Sequence, residues 1–235
     1  MKTLALLILL AAPVAAQQTP ATPATPATPA APAARNADPD KNVQGGTLPA
    51  GWSGRTDRPT QQLANAKFEA MGGGWHVTTG PAVILYRGEA DNVASGQAFH
   101  TLATFTQTKA PAHPEAYGMF VGGNALAAEG QSYIYILVRG DGAYMIKRRA
   151  GTAVTSVVDW TPSAAVVKAD SAGKATNKIE ITAQGGKVKF TINGTDVHTM
   201  NATAAEAAGV VGLRVNHNLD VHVAGFEVHR IGGGY

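Results

Sequence analysis

The stretch SYIYILVRGDGAYMIKRR, Ser132 to Arg149, restricts the fold more than any other part of this chain. Tyr133, Tyr135 and Leu137 alternate with Ile134, Ile136 and Val138, and β-branched and aromatic residues in alternation suit a pleated surface. Gly140-Asp141-Gly142 breaks the run and Ala143–Arg149 returns. Turn length then decides which faces match. A two-residue Asp-Gly loop would place Lys147 and Arg149 with Ile134, Ile136 and Val138, burying two cations without partners. A three-residue loop with Gly142 in the left-handed region matches Tyr144 and Ile146 to that face instead. Met145, Lys147 and Arg149 then lie with Tyr133, Tyr135 and Leu137. A one-residue slip exchanges the faces, so burial selects the three-residue loop.

Similar runs recur along the chain. Strands are predicted near Lys67–Met71, Trp75–Thr78, Ala82–Arg87, Ala98–Thr108, Ala116–Val121, Tyr133–Arg139, Ala143–Arg149, Val154–Trp160, Asn177–Gln184, Lys187–Ile192, Thr195–Met200, Gly209–Asn216 and Leu219–Arg230. Gly185-Gly186 and Asn193-Gly194 join neighbouring runs as hairpin dipeptides that accept positive φ. Only Ala202–Ala208 has a helix-friendly composition. Short strands at regular spacing predict an all-β, two-sheet antiparallel sandwich.

Residues 51–235 form the predicted domain, long enough for one sizeable core. With aromatics at 6%, that core must lean on Val, Ile, Leu and Ala. A formal charge of +3 is small and scattered. Nucleic-acid binding needs a basic stripe, and only Lys147-Arg148-Arg149 makes a run. Nucleic acid is therefore not an expected partner. Residues 1–16 read as a secretory signal: Lys2, an apolar run from Leu4 to Ala12, then Val14 and Ala16 at the cleavage positions. The apolar run is too short to span a bilayer, so no transmembrane segment is expected after cleavage, and a periplasmic or extracellular location is. Residues 17–50 read as a Pro/Ala/Thr-rich disordered linker containing TPATPATPATPA. Proline at every third position favours extended polyproline II and builds no core. With 0 Cys, disulfides and thiolate metal sites are excluded.

The order YGMFVGG, YIYILVRGDGAYMIKRR, VVDWTPSAAV, NKIEITAQGGKVKFTINGTDV and GVVGLRVNHNLDVHVAGFEV resembles a concanavalin A-like (laminin-G-like) jelly roll. Within that superfamily it is most similar to secreted bacterial domains of the 3-keto-disaccharide hydrolase type. The resemblance covers about Trp75 to Val228 and implies two packed antiparallel sheets, one concave, with glycans as the commonest ligand class.

A glycosidase needs two carboxylates flanking the scissile bond. In jelly-roll glycanases these resemble a Glu-x-Asp-x-x-Glu strand. Glu89-Ala90-Asp91 matches its first half, but Ala94 stands at the final Glu, so the signature is broken. Glu89, Asp91 and Asn92 also offer hard oxygens for calcium, although calcium takes more ligands than these; no cofactor is required. Asn218, Asp220 and His222 are predicted to share a strand face beside His217, as a solvated polar ladder. Arg139-Gly140-Asp141 reads as part of the hairpin. Tyr133, Tyr135, Lys147 and Arg149 remain as candidate ligand-binding residues, tyrosine for stacking on sugar rings and the cations for hydroxyls or carboxylates. The expected function is non-catalytic binding of a glycan or envelope polysaccharide. The alternatives are a glycoside hydrolase of the 3-keto-disaccharide type and a structural envelope module.

Overall fold

The structure, a computed structural model, describes residues 39–234. The predicted signal and most of the Pro-rich stretch lie outside the described residues. Fifteen strands follow in chain order: β1 (Ser53–Thr56), β2 (Ala66–Met71), β3 (Gly74–Thr79), β4 (Val83–Tyr86), β5 (Asn92–Val93), β6 (Gln97–Gln107), β7 (Ala116–Asn124), β8 (Ser132–Arg139), β9 (Ala143–Ala150), β10 (Ala153–Pro162), β11 (Ala175–Gln184), β12 (Lys187–Ile192), β13 (Thr195–Asn201), β14 (Gly209–Val215) and β15 (Asp220–Gly234). One short helix, α1 (Ala204–Ala207), precedes β14. Every pairing is antiparallel. An eight-stranded sheet runs β1-β4-β14-β7-β8-β9-β10 with β5 on β14, and a seven-stranded sheet runs β13-β12-β11-β6-β15-β3-β2. This is the all-β two-sheet sandwich that the strand pattern predicts, in the jelly-roll form that the resemblance implies.

The β8–β9 hairpin takes the predicted register. Arg139 pairs with Ala143, Val138 with Tyr144 and Ile136 with Ile146. Gly142 sits at φ +90°, where an L side chain is strained. Val138, Tyr144, Ile136, Ile146 and Ile134 therefore point into the core between the sheets, meeting Phe105, Ile179, Ile181 and Phe190 from the other layer. Burying alternate residues of both sheets in one layer is what removes their apolar area from water.

Two small strands escape the sequence pattern, β1 and β5, each too short to show alternation. The described residues ahead of residue 51 are tied to the sandwich at Pro39 and Lys41. Residues read as linker lie against the sandwich because Asn218 Oδ1 accepts the Lys41 backbone N–H at 2.7 Å and its Nδ2 donates to the Pro39 carbonyl at 3.1 Å. Among the described residues, no helix is long and apolar enough to cross a membrane.

Candidate functional site

The outer face of the eight-stranded sheet, turned away from the shared core, carries the four predicted binding residues together. Tyr133 pairs with Arg149, and Tyr135 with Lys147. Yet this face is not an open platform. Ile84, Ala116, Phe120, Leu126, Leu137 and Met145 pack there as a second hydrophobic cluster that includes both tyrosines. Phe120 lies 5.1 Å from the Tyr133 ring, and the two tyrosine rings are 5.5 Å apart. Gly212 makes room, since a Cβ there would meet Phe120 at 2.5 Å. Tyr133 is 3% exposed and Tyr135 4%. The expectation that sugars stack on their open faces is thus corrected: these rings are covered by their own neighbours.

What covers them is charged. Arg214 of β14 is 6% exposed and lies 5.0 Å over the Tyr135 ring. Its Nη1 donates to the Tyr133 hydroxyl at 3.1 Å and to Asp57 Oδ1 at 2.8 Å, and its Nη2 to Asp57 Oδ2 at 2.6 Å. A two-pronged guanidinium–carboxylate contact of this kind is both strong and directional. Burial opposes ionisation of Asp57, but Arg214, with Arg149 and Arg58 in support, holds its carboxyl below the ordinary value. Burial likewise opposes the Arg214 charge, and Asp57 outweighs it, so the guanidinium stays protonated. The Tyr135 hydroxyl is pushed up by burial.

At the end of this face, where β8 begins and β9 ends, the structure opens a pocket of about 410 Å³. Tyr133, Arg149, Arg148, Asn124, Thr155 and Glu206 line it, with Ala153 and Ala205 at exposed positions. Its volume falls within the range of small-molecule sites. Arg149 is 12% exposed; its Nε donates to the Gly151 carbonyl at 3.0 Å and its Nη1 stands 3.6 Å from Asp57. Arg148 is paired with Glu206, which also closes the N-terminus of α1 as a capping box with Thr203. The Thr203 backbone N–H is the main reason the Glu206 carboxyl sits below its ordinary range. Of the four predicted residues, Tyr133 and Arg149 therefore reach this pocket, while Tyr135 and Lys147 lie further along the same face. Asp57 and Arg214 had no local signal in sequence. Glu206 did, because Thr203-Ala-Ala-Glu206 has capping-box spacing.

The remaining candidates resolve differently. The structure does not assemble Glu89, Asp91 and Asn92 into a calcium site. Both Asp91 carboxylate oxygens accept hydrogen bonds from Arg87, at 2.7 and 3.0 Å, and Glu89 stays exposed. Arg87 in turn lies over the Trp52 and Phe226 rings, so Asp91 serves packing. Asp220 accepts from His76 at 2.9 Å and Lys109 at 2.6 Å, with the His222 ring 6.4 Å from that of His76. Asn218 precedes this strand and turns inward to the N-terminal segment instead of joining the ladder. Among the described residues, no group of three or more His, Cys, Asp or Glu is placed to hold a metal. Arg139 and Asp141 pair within their own hairpin, at 2.8 Å, and Arg139 covers Trp160.

No protein-family profile matches the sequence, and no curated protein matches it either. Solved structures do match. The carbohydrate-binding module CBM66 from Bacillus subtilis superposes with a TM-score of 0.56 at 12% identity, covering 79% of this chain and 99% of its own. A Bacillus subtilis protein of unknown function with a galectin-like fold gives a TM-score of 0.51 at 12% identity, covering 76% and 89%. What these share with the present chain is the fold, a two-sheet antiparallel jelly-roll sandwich.

Proposed function

We propose that this protein is an exported, non-catalytic carbohydrate-binding domain that takes sugar in the pocket between β8, β9 and α1. The observation that carries this reading is the pocket itself. It sets hydroxyl, amide, guanidinium and carboxylate groups around about 410 Å³ beside a rigid sheet, the mixture of donors and acceptors that sugar hydroxyls require. The fold supports it too, since the similar module from Bacillus subtilis is named for binding carbohydrate. Export rests on the signal-like residues 1–16.

A hydrolase acting on similar sugars would need two carboxyl groups flanking the scissile bond. Among the described residues, Glu206 is the one carboxylate lining this pocket, which favours binding over hydrolysis here.

A glycan panel tests the reading. Ala205→Trp, at an exposed pocket position, should abolish binding of any glycan retained by the native chain. Failure to bind any glycan at about millimolar concentration, where even weak modules give signal, removes the proposal.

A further inference from the structure

The charges around the pocket do not balance. Lys147, Arg148, Arg149 and Arg214 contribute four cations along β9 and β14, and the carboxylates facing them are Asp57 and Glu206. Arg148 is matched by Glu206. Asp57 gives both oxygens to Arg214, leaving Arg149 at 3.6 Å, beyond hydrogen-bonding distance. Lys147 has no ion-pair partner among the described residues; Asp159, on the adjacent strand, is exposed and accepts from Ser156. Arg149 thus shares Asp57 with Arg214 at longer range, Lys147 is unanswered, and the four cations outnumber the two carboxylates facing them.

Arg149 is the one that reaches the pocket. Its Nε is engaged by Gly151, which fixes the plane of the guanidinium, and its Nη1 stands 3.6 Å from Asp57, so among the described residues its terminal nitrogens make no hydrogen bond. A largely buried, pre-oriented guanidinium with unused terminal donors fits a carboxylate and gains most from one, because the surrounding protein weakens solvent screening. A neutral sugar would leave the excess charge unanswered.

We infer that the sugar bound here is an acidic one, a hexuronate-type residue whose carboxylate pairs with Arg149, with Lys147 adding long-range attraction. This rests on the carbohydrate-binding reading above and narrows it to one ligand class.

The test uses the full chain and oligosaccharide pairs that differ only at C6, carboxylate against hydroxymethyl: galacturonate and galactose, glucuronate and glucose, mannuronate and mannose. At low salt at least one acidic member should bind about tenfold or more tightly than its neutral partner, the usual range for a hydrogen-bonded charge. That advantage should shrink at about 0.5 M salt. Arg149→Met should remove it. Ala153→Glu places a competing carboxylate at an exposed pocket position and should remove it without disturbing Asp57 or Arg214, so the outcome does not hang on the stability of one variant. If a neutral partner binds as tightly as its acidic twin, the acidic inference is overturned while carbohydrate binding stands. If no member of any pair binds, the hexuronate inference is overturned, and the full glycan panel decides whether carbohydrate binding stands.

Discussion

Removing the Asp57 carboxylate leaves Arg214 charged inside a hydrophobic cluster. Arg214 is nearly inaccessible, while the Asp57 side chain is 28% exposed. Breaking a buried pair by deleting one partner costs about 3–5 kcal/mol, mostly from the stranded charge. The opening that exposes Asp57 would admit water to Arg214 once the carboxylate is gone, which places Asp57→Ala near the lower end, about 3 kcal/mol. For a domain of this size that lowers Tm by about 6–12 °C. Thermal unfolding followed by circular dichroism reads the change. The double variant Asp57→Ala/Arg214→Met should recover most of it, since methionine fills the space over Tyr135 without a charge to solvate. The reasoning is wrong if Asp57→Ala shifts stability by less than about 1 kcal/mol, or if the two substitutions simply add to within about 0.5 kcal/mol.

Acid should destabilise the domain in a defined window. Asp57 and Asp220 both have folded pKa values below their ordinary ones, so their contribution is full above the unfolded value of about 3.9 and is lost as pH falls through the folded values. A titration of stability should be flat on this account near neutrality and should drop below about pH 4. Thr203→Ala removes the hydroxyl half of the α1 cap and should cost about 1 kcal/mol by denaturant unfolding. Gly142→Ala forces an L side chain to φ +90° against Lys168 and should cost about 1–2 kcal/mol; no measurable loss would mean that the hairpin can take another turn.

Sequence reading succeeds here where the determinant is local. The hairpin register follows from a single consideration, that Tyr144 and Ile146 can be buried and Lys147 and Arg149 cannot, and the structure pairs Val138 with Tyr144 accordingly. The Asn193-Gly194 turn, at φ +50° and +81°, follows from the same chemistry. The outer face was legible only by half. Which side chains share it comes from alternation within β8 and β9. What covers it comes from Asp57 and Arg214, separated by 157 positions, and from Leu126 in an Ala/Gly-rich loop. Neither alternation nor spacing reports a contact that only the closing of the sheet creates. The tyrosines therefore read as an open platform and are instead walls of a second apolar cluster.

The N-terminal boundary shows the same limit and can be tested at one residue. Pro39 and Lys41 sit in a polar, Pro-containing stretch with no strand pattern, and they are held by a side chain 179 and 177 positions away. Asn218 has two roles there. It adopts φ +57°, which asparagine tolerates better than most residues, and its amide clamps Lys41 and Pro39. Asn218→Gly keeps the turn and loses the clamp; Asn218→Ala loses both. Two net hydrogen bonds are together worth about 2 kcal/mol, and forcing alanine into the left-handed region adds about 1–2 kcal/mol. Limited proteolysis should therefore cut near residues 39–48 faster in both variants, whereas global stability should fall further for alanine than for glycine. If glycine leaves the proteolysis rate unchanged, the segment is held by something other than Asn218, such as the close approach of the Lys41 carbonyl to Gly80. Gly80→Ala, whose Cβ would meet that carbonyl, would then be the substitution that frees it.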